Sequence, residues 1–151
     1  MPRRRKFYHV KVVKEGRPIY AKAISTPADL VGFFKKKIGN QTQEHFVGVY
    51  LNARNMPIGW RCLSIGSLTV AVVHPREVML PAIKLSAASI ILAHNHPSSD
   101  TSPSKEDIEL TSQIVEAGKI MGIEILDHLI ITDGQYLSFR EEGILRGGKV
   151  T

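Results

Sequence analysis

The spacing of apolar residues along this chain switches repeatedly between the two-residue period of a strand and the three-to-four-residue period of a helix. Phe7 to Val13 and Ile19 to Ile24 alternate around the turn Glu15-Gly16-Arg17-Pro18 and predict a hairpin. Thr26-Pro27 reads as an N-cap followed by proline at the first helical position. The helix it opens runs from Ala28 to Ile38, with Leu30, Val31, Phe33, Phe34 and Ile38 on its apolar side, and stops at Gly39-Asn40. Gln43 to Asn52 is apolar on both faces, with Phe46, Gly48 and Tyr50 on one and Val47, Val49 and Leu51 on the other. Burial on both faces predicts a central strand. Ile58 to Ile65 is its partner across the turn at Arg54 to Pro57. Pro75 to Ala88 has helical spacing, with Val78, Met79, Ala82, Ile83 and Leu85 apolar. Ala88 to Ala93 is a strand rich in β-branched residues that runs straight into His94. A helix from Ser104 to Met121 follows, with Ile108, Ile114, Val115, Ala117, Ile120 and Met121 mainly on one face and Gly122 closing it. Ile123 to Thr132 and Tyr136 to Phe139 form a hairpin about Asp133-Gly134. Alternating strands and helices predict a three-layer α/β domain, a sheet flanked by helices.

Three segments are expected: a basic hairpin and helix over 1–40 packed on the core, a main domain over 41–145, and a flexible, glycine-rich basic tail over 146–151. The length of 151 residues fits one domain that buries a core without covalent staples. A single cysteine, Cys62, excludes an internal disulfide framework and a multi-cysteine zinc site, and fits a cytoplasmic location. No apolar run approaches the ~18 residues of a membrane helix, and no apolar stretch follows the basic start as a signal peptide requires.

The net charge of +6 is uneven. Residues 1–40 hold 11 Lys/Arg and 2 Asp/Glu, whereas residues 41–151 hold 9 and 12. The basic residues within 3–37 could therefore meet nucleic acid or an acidic protein. The plainer alternative is a solvated arm and helix face, with Lys35, Lys36 and Lys37 placed where cations suit the helix dipole.

The chemistry concentrates in residues 94–107, His-Asn-His-Pro-Ser-Ser-Asp-Thr-Ser-Pro-Ser-Lys-Glu-Asp. Residues i and i+2 of a strand face the same way, so His94 and His96 stand side by side at the strand's end. Asp107 falls in the first turn of the next helix. Two imidazoles and a carboxylate suit one Zn²⁺ with an open fourth position for water. Ser104-x-x-Asp107 is also a capping box, and one helix turn can cap itself while presenting a ligand. Ser104 could in addition point its hydroxyl at a developing oxyanion. A metallohydrolase needs a base for its water, and the candidate is Glu44. It is the only carboxylate between Asp29 and Glu77 and heads an apolar strand, although an exposed strand-end acid reads equally well. Asp127 and His128 could support the site from the following strand, but alternate side chains face opposite sides, so only one can reach it. Neither is placed among the ligands. Zinc deaminases need a His-x-Glu and a Pro-Cys-x-x-Cys, whereas the one cysteine here lies far from the site, and the helical His-Glu-x-x-His motif is absent.

Glu44, His94-x-His96-Pro97 and Ser104-x-x-Asp107 together resemble the JAMM (JAB1/MPN-plus) metalloprotease motif. The likeness to its RadC branch is closer. It rests on His94-Asn95-His96-Pro97-Ser98-Ser99, Pro103-Ser104-Lys105-Glu106-Asp107, Asp127-His128-Leu129-Ile130-Ile131, Gln43-Glu44-His45-Phe46 and Pro75-Arg76-Glu77-Val78, over roughly residues 41–145. The resemblance implies a deaminase-like α/β fold, a mixed sheet between helices. It implies one zinc held by His94, His96 and Asp107, Glu44 as general base, and Ser104 supporting the tetrahedral intermediate. The implied reaction is zinc-activated water attacking a peptide or isopeptide amide, with a peptide or protein as substrate. Ser99 stands where RadC proteins usually have glycine. The helix-hairpin-helix region of longer RadC proteins has no counterpart in residues 1–40, so the family's DNA-repair label finds little support here. The alternative function is a DNA-associated protein whose metal site is structural or accessory.

Overall fold

The computed structural model describes residues 23–69 and 72–151. The expected hairpin of residues 7–24 therefore lies, up to residue 22, outside the described residues. A mixed five-stranded sheet forms the middle layer, in the order β2-β1-β3-β4-β5. Its strands are β1 (His45–Leu51), β2 (Pro57–Ile65), β3 (Ser89–Asn95), β4 (Glu124–Ile131) and β5 (Tyr136–Ser138). β1 lies between β2 and β3 and is antiparallel to both, as its two apolar faces predict. β3 and β4 are parallel, joined by the helix α3 (Lys105–Met121).

A helical segment covers one face of the sheet. It begins as a single 3-10 turn, Pro27–Leu30, capped by Thr26 with Asp29 in a reciprocal capping box, and continues as α1 (Val31–Ile38). Leu30, Phe33, Phe34 and Ile38 bury against Val47, Val49, Leu51, Ile91, Ala93, Leu129 and Ile131. α2 (Pro75–Leu85) and α3 cover the other face, where Phe46, Tyr50, Ile90, Leu92 and Ile130 meet Val78, Met79, Ala82, Leu110 and Ile114. The three layers agree with the expectation from sequence. No helix among the described residues is long and apolar enough to cross a membrane.

Two features differ from that expectation. Residues 146–151 do not trail away as a flexible tail. Leu145–Arg146 and Lys149–Val150 pair as β6 and β7. Gly147 and Gly148 turn the chain at φ 54° and 73°, conformations glycine adopts without steric cost. Val150 then packs against the core under α3. The second difference is the apolar stripe of the helices, which extends past the buried face. Ile83 is 52% exposed, Ile120 86% and Met121 48%. On α3 the buried positions are Asp107, Leu110, Thr111, Ile114, Val115 and Gly118. Ile120 falls off this line on the outer side, and Met121 sits where the chain turns away at Gly122, whose φ is 70°.

A one-residue irregularity in the β3–β4 ladder positions the site. Ile90 pairs with Ile125, but Ile91 pairs with Asp127, so Leu126 is the extra residue. One extra residue reverses which face the following side chains occupy. His128 and Ile130 consequently join the α3 face, and Leu129 and Ile131 the α1 face.

Candidate metal centre

The site forms where the C-terminal ends of parallel strands β3 and β4 meet the N-terminus of α3. β3 is buried along its whole length and delivers His94 at its end. His96 follows, its N–H still donating to Ile131 O before Pro97 interrupts the ladder. The loop 97–103 returns the chain to α3, and Ser99 in that loop has φ 69°. The serine there adopts a left-handed backbone, which suits the glycine that the RadC resemblance places at this position.

Ser104 is the N-cap of α3. Its Oγ accepts from the N–H of Asp107 at 3.0 Å, and its own N–H donates to Asp107 Oδ2 at 2.8 Å. The same Oδ2 lies 3.1 Å from His96 Nε2 and 3.3 Å from His94 Nε2. The two Nε2 atoms are 2.9 Å apart. The capping box therefore also aims the carboxylate at the two imidazoles. One ligand atom from each of His94, His96 and Asp107 lies within 4.8 Å of the others. Donors ~2.1 Å from a tetrahedral ion stand ~3.4 Å apart, close to this spacing. Three lone-pair donors face one another, and a cation between them satisfies all three at once. The residues present fit a metal ion.

Electrostatics agree with that reading. Burial by itself would raise the Asp107 carboxyl, but the His94 and His96 imidazoles against it and the Ser104 N–H outweigh it and hold the group well below the usual carboxylate range. His96 is raised, chiefly by its bond to Asp107. Burial opposes this, while the Asp100 carbonyl and the charges of Asp107 and Glu44 add to it. The His96 side chain is 10% exposed, against 0% for His94 and 3% for Asp107, so the centre opens to solvent on the His96 side.

Glu44 is half-buried immediately before β1, and its Oε2 accepts from the N–H of Leu68 at 3.2 Å. Its main-chain O accepts from Gly66. Between the two histidines, Asn95 faces the opposite way. Its Oδ1 accepts from the N–H of His45 at 2.6 Å, and its Nδ2 donates to the carbonyls of Gln43 at 2.9 Å and Gln41 at 3.3 Å. The segment carrying Glu44 is thus fastened to the strand carrying His94. Sequence reasoning gave Asn95 no role, although alternation along β3 implies that it faces away from its neighbours.

His128 and Asp127 part company. His128 is fully buried on the site's face, with Nε2 2.7 Å from His94 Nδ1 and Nδ1 2.6 Å from Thr111 Oγ1. Burial first, and then the neighbouring His94, push it well below the usual histidine range. The Asp127 carboxylate instead bonds the Ser138 hydroxyl and the N–H groups of Arg140 and His128. Thr111, which the sequence reading passed over, joins the site one helical turn after Asp107. Lys35, Lys36 and Lys37 sit on the opposite face of the sheet, with Lys37 over the Trp60 ring.

The model of the RadC-like JAB domain matches residues 24–144. A UPF0758 protein of Rubrobacter xylanophilus is 51% identical over 130 residues, which is 86% of this chain and 55% of that protein. A UPF0758 protein of Methanosarcina mazei is 47% identical over 123 residues, 82% of this chain and 54% of its own length. The chain spans about half the length of the curated relatives it matches. With a family model matching residues 24–144 and relatives of this identity, the chain belongs to the RadC-like JAB domain family.

Proposed function

We propose that this domain is a zinc-dependent metallohydrolase that cleaves a peptide or isopeptide amide bond. The observation that carries the reading is the convergence of His94 Nε2, His96 Nε2 and Asp107 Oδ2 at one point open to solvent. His94, His96 and Asp107 would hold the ion. When bound, zinc supplies Lewis acidity that acidifies water and polarises the amide carbonyl. Glu44 takes the proton from the water as its oxygen adds to the carbonyl carbon, and delivers it to the amine nitrogen as the tetrahedral adduct collapses and the C–N bond breaks. The Leu68 N–H holds that carboxylate by a hydrogen bond at 3.2 Å. Ser104 Oγ already accepts from Asp107 N–H, which leaves its hydroxyl proton to donate to the developing oxyanion.

The test uses zinc content and hydrolysis of a panel of peptide amides and lysine ε-linked isopeptides. Glu44→Gln should keep zinc and lose hydrolysis by about 10²–10⁴-fold. His96→Ala and Asp107→Ala should lose zinc as well. Full activity in Glu44→Gln would overturn the general-base assignment. Zinc retained at full occupancy without both His96 and Asp107 would overturn the site.

A further inference from the structure

The hydrogen bonds behind His94 run in one direction. Thr111 Oγ1 lies 2.7 Å from the main-chain O of Asp107 and 2.6 Å from His128 Nδ1. A carbonyl oxygen only accepts, so the single hydroxyl proton goes to Asp107. The contact with His128 must then be donated by Nδ1–H. His128 is fully buried and, among the described residues, its ring nitrogens meet only Thr111 and His94, with no carboxylate bonded to them, so burial favours the uncharged ring; that ring carries one N–H, and its Nε2 bears a lone pair. That lone pair faces His94 Nδ1 at 2.7 Å. His94 Nδ1 is therefore the donor, and the lone pair of His94 stands on Nε2, the atom aimed at His96 Nε2 and Asp107 Oδ2.

We propose that Thr111 and His128 form a relay that sets the tautomer of His94, holding its Nε2 lone pair toward the metal position before an ion arrives. His128 is a positioning residue, since it acts through His94. A ligating histidine usually gives its outer N–H to a carboxylate, carbonyl or water. His96 does so, with Nδ1 2.7 Å from Asp100 O in the adjoining loop. For His94 the acceptor is a second imidazole whose own polarity is fixed by a threonine. The relay leaves one candidate ligand and returns to the backbone of another, because Thr111 bonds Asp107 O. Packing fixes the His128 ring as well. It stacks on Phe139 at 4.8 Å between centroids and lies 5.7 Å from Phe46. The relay rests on the metal site of the proposed function and is independent of the hydrolytic step.

Two measurements test it. Long-range ¹H–¹⁵N correlation spectra of the metal-stripped full chain report each histidine's tautomer. The proton on Nδ1 should be seen in both His94 and His128, and a proton on His128 Nε2 would overturn the relay. Zinc affinity is then read by competition with a chromophoric chelator in the unmutated chain, His128→Phe and His128→Gln. Phenylalanine keeps the stacked ring and removes the acceptor, and should weaken binding by about 10–100-fold. Glutamine places a carbonyl oxygen near the lost Nε2 and should recover most of that loss. Equal affinity in unmutated and His128→Phe protein would overturn the proposal. If His128→Phe does not fold, the tautomers of the unmutated chain decide alone. Absence of zinc binding in the unmutated chain would instead count against the metallohydrolase, with the tautomers still deciding the relay.

Discussion

Asn95 is enclosed by the histidines on either side of it, yet its three hydrogen bonds go to the segment around Glu44. It is 1% exposed, so each bond lost leaves a polar group without water. Asn95→Ala should therefore keep the three candidate ligands in place while freeing Glu44 to wander. Zinc content should be unchanged and hydrolysis should fall by at least tenfold, measured side by side with Glu44→Gln. Loss of zinc in Asn95→Ala would show that the clamp serves β3 instead. Asp127 tests a different residue-scale balance. Burial raises its carboxyl, and the bonds from Ser138, Arg140 and His128 only partly offset this. An acid raised in the folded state contributes stability that is complete below the ordinary aspartate value of 3.8 and is lost as the pH climbs through the raised value. Asp127→Asn removes that dependence. The melting temperature of the variant relative to the parent should then increase from acid to neutral pH. A difference constant across that range would mean that Asp127 titrates ordinarily.

At the scale of elements, α3 and β4 are joined by a close approach that a single methyl group would break. A Cβ on Gly118 would run into the main-chain oxygen of Ile123. Alanine gains about 1 kcal/mol over glycine in helix propensity. Overpacking costs about 1–3 kcal/mol, and a backbone oxygen cannot swing aside as a side chain can. The clash should win, and Gly118→Ala should lower the melting temperature by several degrees, roughly 2–4 °C per kcal/mol at this size. An unchanged or higher value would show that the turn at Gly122 relaxes freely. The same elements show what sequence patterns carry. The two apolar faces of β1 and the cap of α3 are local, so both were legible. His94 and His96 were legible as a pair because period two governs any strand. The extra residue at Leu126 was not, because Glu124–Ile131 has apolar residues on both faces and its central polar pair, Asp127 and His128, puts one polar side chain on each face in either register. That hidden irregularity decides that His128, rather than Asp127, reaches the site. The closing hairpin escaped for another reason. Its strands are two residues each, too short for any period, and its Gly147-Gly148 turn read as a flexible tail.

Elements distant in sequence meet at the candidate metal centre, because β3, α3 and β4 each contribute a group to it. An ion held there would join strand to helix across the loop 97–103 and would bind the folded chain far better than the unfolded one. Stabilisation by a ligand of that kind is about 2.7 kcal/mol at one hundred times its dissociation constant. For a chain of this length that corresponds to roughly 5–11 °C in melting temperature. Saturating zinc should therefore raise the melting temperature of the chelator-treated protein by about this amount. The His94→Ala/His96→Ala double variant should melt at the same temperature with zinc or chelator, because a single remaining carboxylate holds zinc weakly. The comparison separates a structural effect of the mutations from an effect of the ion. Equal melting of the unmutated protein in both conditions, with no zinc bound, would leave the convergence of His94, His96 and Asp107 as a buried hydrogen-bond cluster. A shift confined to the unmutated chain would make the same three atoms the point at which the sheet and α3 are tied together.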